Sequence, residues 1–207
     1  MSKKTIIFDM DGTLVNSSLT IANAINYVRK NLGFEPMEQS HILRHVNDPT
    51  INPAHFFYHA KAFDADHERW FSEYYTKNHG KELVLYEGIE ALLHKLKEEG
   101  YLLAVATNAY RQSTLESLSY LQIVSLFDAI GCYDDVPQGK PAPDMLFKVL
   151  KETQTTVEEA LFIGDGPRDE EAAKRAGMAY LMVDWGFTEH TNAIQNVSEL
   201  YKAIHTF

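Results

Sequence analysis

The stretch that most constrains this chain is Thr5-Ile6-Ile7-Phe8-Asp9-Met10-Asp11-Gly12-Thr13-Leu14-Val15, an apolar run that ends abruptly in two carboxylates and a glycine. Ile6, Ile7 and Phe8 are β-branched or aromatic without alternation, the pattern of a strand covered on both faces at the centre of a parallel sheet. Asp9 falls where the run ends, and Gly12 lets the backbone turn sharply and come close to a ligand. Two acids crowded at a strand end repel unless a cation or a shared proton intervenes, so the pair points to a metal.

Beyond Val15 the pattern changes. Residues from about 17 to 80 show helical periods: Ile21, Ala24, Ile25 and Val28; then Ala54, Phe57, Tyr58 and Lys61; then Trp70, Phe71, Tyr74 and Tyr75. The last stripe is expected to be core. Asn47-Asp48-Pro49-Thr50-Ile51-Asn52-Pro53 is turn chemistry. From Gly88 onward strands alternate with helices. Ile89 to Leu96 is an amphipathic helix ended by Gly100, and Tyr101–Ala106 is a second buried strand ending at Thr107-Asn108. A helix with Leu115 and Leu118, a short strand around 128–132, a loop through Gly139-Lys140 and a helix from near Pro143 follow. Leu161–Ile163 is a fourth strand ending at Gly164-Asp165-Gly166; a helix over 170–176 and a fifth strand over 180–183 complete the series. Alternation of this kind predicts an α/β fold with a Rossmann-like parallel sheet, whose ligands lie outside the carboxyl ends of its strands. Asp9, Thr107 and Asp165 each end a different strand, so all three converge on one rim.

Composition limits what that rim can serve. The 207 residues are 45% hydrophobic with a formal net charge of −10, which argues against general nucleic-acid or anionic-membrane binding. No apolar run approaches the roughly 20 residues of a membrane span, no leader is expected, and the lone Cys132 suits a reducing compartment. The expectation is a cytoplasmic protein with no nucleic-acid or membrane partner.

An aspartate nucleophile, a second acid two residues on, hydroxyl and amide donors, a lysine and a further aspartate are the parts of phosphoryl transfer through an aspartyl phosphate. Asp9 would attack phosphorus, with Mg²⁺ held by Asp9, Asp165 and a backbone carbonyl offsetting the repulsion between anions. Lys140 and the Thr107 hydroxyl complete the positive cradle, and Asp11 is placed for acid/base work. His41/His45 and His55/His59 have the helical spacing of zinc ligands but bring no third ligand.

The chain resembles the phosphatases of the haloacid dehalogenase superfamily, of the phosphoglycolate phosphatase-like subfamily. The first motif of that family, DxDGT[LV], matches Asp9 to Leu14; the second matches Thr107-Asn108; the third is Lys140 in Gly139-Lys140-Pro141; the fourth, GDxxxD, matches Gly164-Asp165 with Asp169. The resemblance implies a catalytic core of 1–15 and 85–207 and a helical cap of 16–84 that closes over the site. It also implies Asp9 as nucleophile, Asp11 as acid/base whose backbone carbonyl binds Mg²⁺, Asp165 as the other side-chain metal ligand, Asp169 as an indirect or water-mediated one, and Thr107, Asn108 and Lys140 as substrate-binding residues. The chain departs from the usual pattern at Asn16, Gly166 and Arg168, and at Asn47, where a cap loop often carries glycine. The implied substrate is a small phosphorylated metabolite, which Arg44, His45 and Asn47 could help to select. Other activities compatible with the parts are a sugar-phosphate mutase and a non-enzymatic phosphate-sensing or partner-binding role; a dehalogenase would ordinarily lack an acid at Asp11.

Overall fold

The computed structural model describes residues 4–46, 50–186 and 192–207. In chain order the elements are β1 (Thr5–Phe8), β2 (Val15–Asn16), α1 (Ser18–Asn31), α2 (Gln39–Val46), α3 (Pro53–Tyr58), α4 (Ala65–Glu82), β3 (Val84–Leu85) and α5 (Ile89–Glu98). They continue with β4 (Leu102–Ala106), α6 (Arg111–Tyr120), β5 (Ala129–Gly131), α7 (Asp144–Thr153), β6 (Ala160–Gly164), α8 (Pro167–Ala176), β7 (Ala179–Met182) and α9 (Val197–Thr206). The chain separates into two compact units, Met1–Asn16 with Val84–Phe207, and Ser17–Leu83.

The first unit is built on a parallel sheet in the order β5-β4-β1-β6-β7, with β1 at the centre. Ile7 lies opposite Ala104 on one side and Phe162 on the other. Ile6, Ile7 and Phe8 are all fully buried, which requires cover on both faces and explains why the run does not alternate. On one face Ile7, Ala104 and Phe162 pack with Met145 and Val149 of α7 and Ala172 and Ala173 of α8. The larger of these buried side chains, Ile7, Phe162, Met145 and Val149, contribute roughly 1.5–3 kcal/mol each. Where the chain leaves and re-enters this unit, β2 and β3 form a two-residue antiparallel pair, Val15 opposite Leu85 and Asn16 opposite Val84. Elements that short carry no hydrophobic period, and no sequence expectation covered them.

Two further differences concern helix starts. The helix expected over 170–176 begins at Pro167, because Pro occupies its first turn and the Asp169 Oδ2 accepts from the Gly166 N–H at 3.2 Å. Asp169 therefore rides on a helix. The unforeseen α9 is capped by Asn196, whose side chain accepts from the Glu199 N–H at 2.9 Å.

Among its described residues the regular elements of the second unit are all helices, joined by turns and loops. Ile25 and Val28 of α1, Ile42 of α2 and Phe57 and Tyr58 of α3 form its core, with Trp70 and Phe71 of α4 packed against them and only partly buried. Buried Arg29 ties the unit together: its Nε donates to the Glu35 carbonyl at 2.9 Å, and its guanidinium also donates to the Phe57 carbonyl. The helix expected to reach Lys61 stops at Tyr58, where His59 turns left-handed at φ 57°; Pro53, expected in a loop, is its first residue. Among the described residues no helix is long and apolar enough to cross a membrane.

Candidate active site

Asp9 follows β1 directly, its N–H donating to the Ile163 carbonyl at 2.8 Å, so the sheet's own hydrogen bonding carries it to the rim. The next residues coil tightly. The Met10 carbonyl accepts from the N–H groups of Leu14 and Val15, both at 2.9 Å, and the Gly12 N–H donates to the Val15 carbonyl at 3.0 Å. Gly12 has φ +83°, and a Cβ there would fall 2.1 Å from Asp165 Oδ2. Only a glycine lets the turn that carries Asp11 lie against the Asp165 carboxylate.

Lys140 reaches in from the loop after β5. Its Nζ lies 2.5 Å from Asp9 Oδ1 and 2.6 Å from Asp169 Oδ1, and the side chain is almost wholly buried. The lysine's backbone is held by one side chain: the Asn108 amide nitrogen donates to the Lys140 carbonyl at 3.0 Å, while its oxygen accepts from the Lys140 N–H at 2.8 Å. Asn108, expected to bind substrate, thus has both ends of its amide on the Lys140 loop. Thr107 is buried at the end of β4, and its hydroxyl accepts from the Ala109 N–H at 3.1 Å while keeping its own proton to donate.

Oxygens of Asp9, Asp165 and Asp169 lie within 4.8 Å of one another. Among the described residues Lys140 is the cation paired with this cluster, through Asp9 and Asp169, and the electrostatics show the shortfall. Burial lifts the Asp9 carboxyl well above the ordinary range, with Asp169 and Asp165 adding to the rise and Lys140 pulling against it. Asp165 is raised to about 7, first by burial and then by Asp169. Burial alone would lower the Lys140 ammonium, but Asp9 and Asp169 reverse that and hold it charged. Burial, followed by Asp165 and Asp11, keeps the nearby Tyr86 phenol protonated. A cluster of hard oxygen donors with uncompensated negative charge fits a small divalent cation. Asp169 is the least available of the three acids, since Lys140 engages one of its oxygens and the Gly166 N–H the other.

The remaining sequence candidates lie in the helical unit. Arg44 is exposed on the last turn of α2, with its Nε donating to the Ser40 carbonyl at 3.3 Å. His45 stacks on Phe56 at 4.5 Å between ring centroids and makes a 2.8 Å hydrogen bond to the His41 carbonyl. Asn47 lies outside the described residues. The left-handed turn at His59 removes it from the helical face of His55, and among the described residues the Asp9, Asp165 and Asp169 group is the one cluster suited to a metal.

Comparison with known proteins bears on this arrangement directly. Residues 6–183 match the family model described as haloacid dehalogenase-like hydrolase. The chain is 28% identical over 195 residues to a phosphoglycolate phosphatase of Mesorhizobium japonicum, covering 91% of this chain and 86% of that protein. It is also 28% identical over 188 residues to the pyrophosphatase PpaX of Bacillus cereus, covering 89% and 85%. A crystal structure described as a predicted phosphoglycolate phosphatase from Haemophilus somnus superposes with a TM-score of 0.76 at 27% identity, over 89% of this chain and 86% of that one. With the family model spanning both the Asp9 and the Asp165 ends of the rim, the chain belongs to the haloacid dehalogenase-like hydrolases.

Proposed function

We propose that this hydrolase is a Mg²⁺-dependent phosphatase that cleaves small phosphorylated metabolites through a phosphoryl group carried on Asp9. The observation that carries the proposal is the buried Asp9 at the end of the central strand, paired with Lys140 and within reach of Asp165 and Asp169. Asp9, Asp165 and the backbone carbonyl of Asp11 would hold the cation. When bound, Mg²⁺ supplies the positive charge that lets a carboxylate approach a phosphate ester.

The chain's own residues do the rest. A carboxylate oxygen of Asp9 attacks phosphorus, the bond to the leaving oxygen breaks, and Asp11 gives that oxygen its proton. Asp11, now a carboxylate, takes a proton from water as the water attacks the phosphoryl group; phosphate leaves and Asp9 is restored. Lys140 stays charged throughout and faces the charge that accumulates on the transferring group. Asn108 holds the lysine loop in place, and Thr107 offers its hydroxyl proton. Asp169 keeps Lys140 aimed at Asp9.

The relatives named above include both a phosphoglycolate phosphatase and a pyrophosphatase, so phosphoglycolate and pyrophosphate belong in the assay with a broad set of phosphorylated metabolites. Phosphate release by the purified chain in Mg²⁺, lost in chelator and lost in a folded Asp9→Asn variant, is the expected result. Full turnover in that variant would overturn the mechanism, and a requirement for a bisphosphate primer would indicate a mutase instead.

A further inference from the structure

The segment after β7 has no part in the chemistry described so far, yet it is tied to the turn that carries Asp11. The Trp185 indole N–H donates to the Thr13 carbonyl at 3.0 Å. Its ring packs on Tyr86 at 5.6 Å between centroids, and the Tyr86 N–H donates to the Leu14 carbonyl at 3.1 Å. Two successive carbonyls of the turn, Thr13 and Leu14, are therefore held from outside it, by the Trp185 indole and the Tyr86 backbone N–H, and the two rings of these residues meet at a tilt of 39°. Inside the turn the Met10 and Val15 carbonyls are already used. Trp185 is itself anchored: the neighbouring buried Asp184 receives the Gly186 N–H on its side chain at 3.0 Å and donates its own N–H to the Ile194 carbonyl at 2.9 Å.

We infer that Trp185 is a positioning residue for Asp11, holding the Asp9 to Val15 turn in the geometry that general acid/base catalysis needs. The inference rests on the proposed role of Asp11. Met10 to Val15 spans a single turn bonded to itself, so a release at Thr13 is transmitted to Asp11 two residues away through the Gly12 pivot. Asp9 is protected from the same release by its bond to Ile163 within the sheet. Loss of the indole N–H should thus move the acid and leave the nucleophile in place.

Leaving-group dependence separates these two effects. An alkyl phosphate needs its leaving oxygen protonated, whereas 4-nitrophenyl phosphate departs as a stable phenolate. Trp185→Phe keeps a ring against Tyr86 and removes the donor. Its specificity constant for the best alkyl phosphate of the panel should fall about 10-fold, by an unchanged KM and a lower kcat, while that for 4-nitrophenyl phosphate changes less than about 2-fold. Equal losses on both substrates, or no loss on either, would overturn the inference. Asp11→Asn is the control: selective loss in Asp11→Asn without loss in Trp185→Phe refutes the positioning role alone, whereas wild-type rates in Asp11→Asn refute the acid itself. Should Trp185→Phe fail to fold, Tyr86→Leu, which removes the surface backing the indole, must show the same selective loss.

Discussion

Replacing Asp165 by Asn should stabilise the metal-free protein and abolish its stabilisation by Mg²⁺. The carboxyl is held at about 7 in the folded chain against 3.8 for a free aspartate, chiefly by burial and by Asp169. Each tenfold change in acidity is worth about 1.4 kcal/mol, so ionised Asp165 costs the fold at most roughly 4 kcal/mol. The sign follows from proton binding. Below about pH 4 both folded and unfolded chains hold the proton and nothing is lost; between about pH 4 and 7 only the unfolded chain releases it, and stability falls as pH rises. Above about pH 7 the penalty is constant. Because the Asp165 charge also raises its neighbour Asp9, the two carboxyls compete to hold a proton and the wild type does not carry the whole of that cost, so a gain of about 1–3 kcal/mol is expected. The assay is urea unfolding of both proteins in chelator from about pH 5 to 8, then in millimolar Mg²⁺. The advantage of the variant should widen up to about pH 7 and then level off, and Mg²⁺ should raise the wild type alone. A variant less stable than wild type in chelator across that range, or one stabilised equally by Mg²⁺, would refute the account of the cluster as a charge-deficient cation site.

Lys140→Met should leave Asp9 and Asp169 without their shared cation; destabilisation of about 3–5 kcal/mol in chelator, read by urea unfolding, and at least a ~10-fold loss in specificity constant are expected. Gly12→Ala places a Cβ against Asp165 at a positive φ, so activity should collapse and the Mg²⁺ concentration for half-activity should rise, as a metal titration of the rate would show. Arg44→Ala should lower the specificity constant for the best metabolite by about 10-fold relative to 4-nitrophenyl phosphate, since losing a polar contact penalises only substrates that make it; equal losses on both would remove Arg44 from recognition.

The central strand, the alternation of the main sheet strands with helices, and the meeting of Asp9 with Asp165 at the sheet rim were legible in the sequence. An unalternating apolar run and a polar residue at its end are local facts that survive any packing. Lys140 could be singled out only by its motif, because a lysine in a loop carries no local sign that it will be buried between two carboxylates 131 and 29 positions away. Asp169 had a legible signal, an acid two residues after a helix-starting Pro, but its contact with Lys140 arises only when β1, β5 and β6 lie in one sheet. Asn108 shows the limit most clearly: an amide at a strand end carries no local sign that the fold will bring the Lys140 backbone against both of its ends. Trp185 had no signal at all, since its partner carbonyl at Thr13 is 172 positions away and any residue supplies a carbonyl. Side-chain type and periodicity are written locally; hydrogen bonds to backbone groups across the sheet are decided by the tertiary structure, because every residue offers the same acceptor and only position selects one.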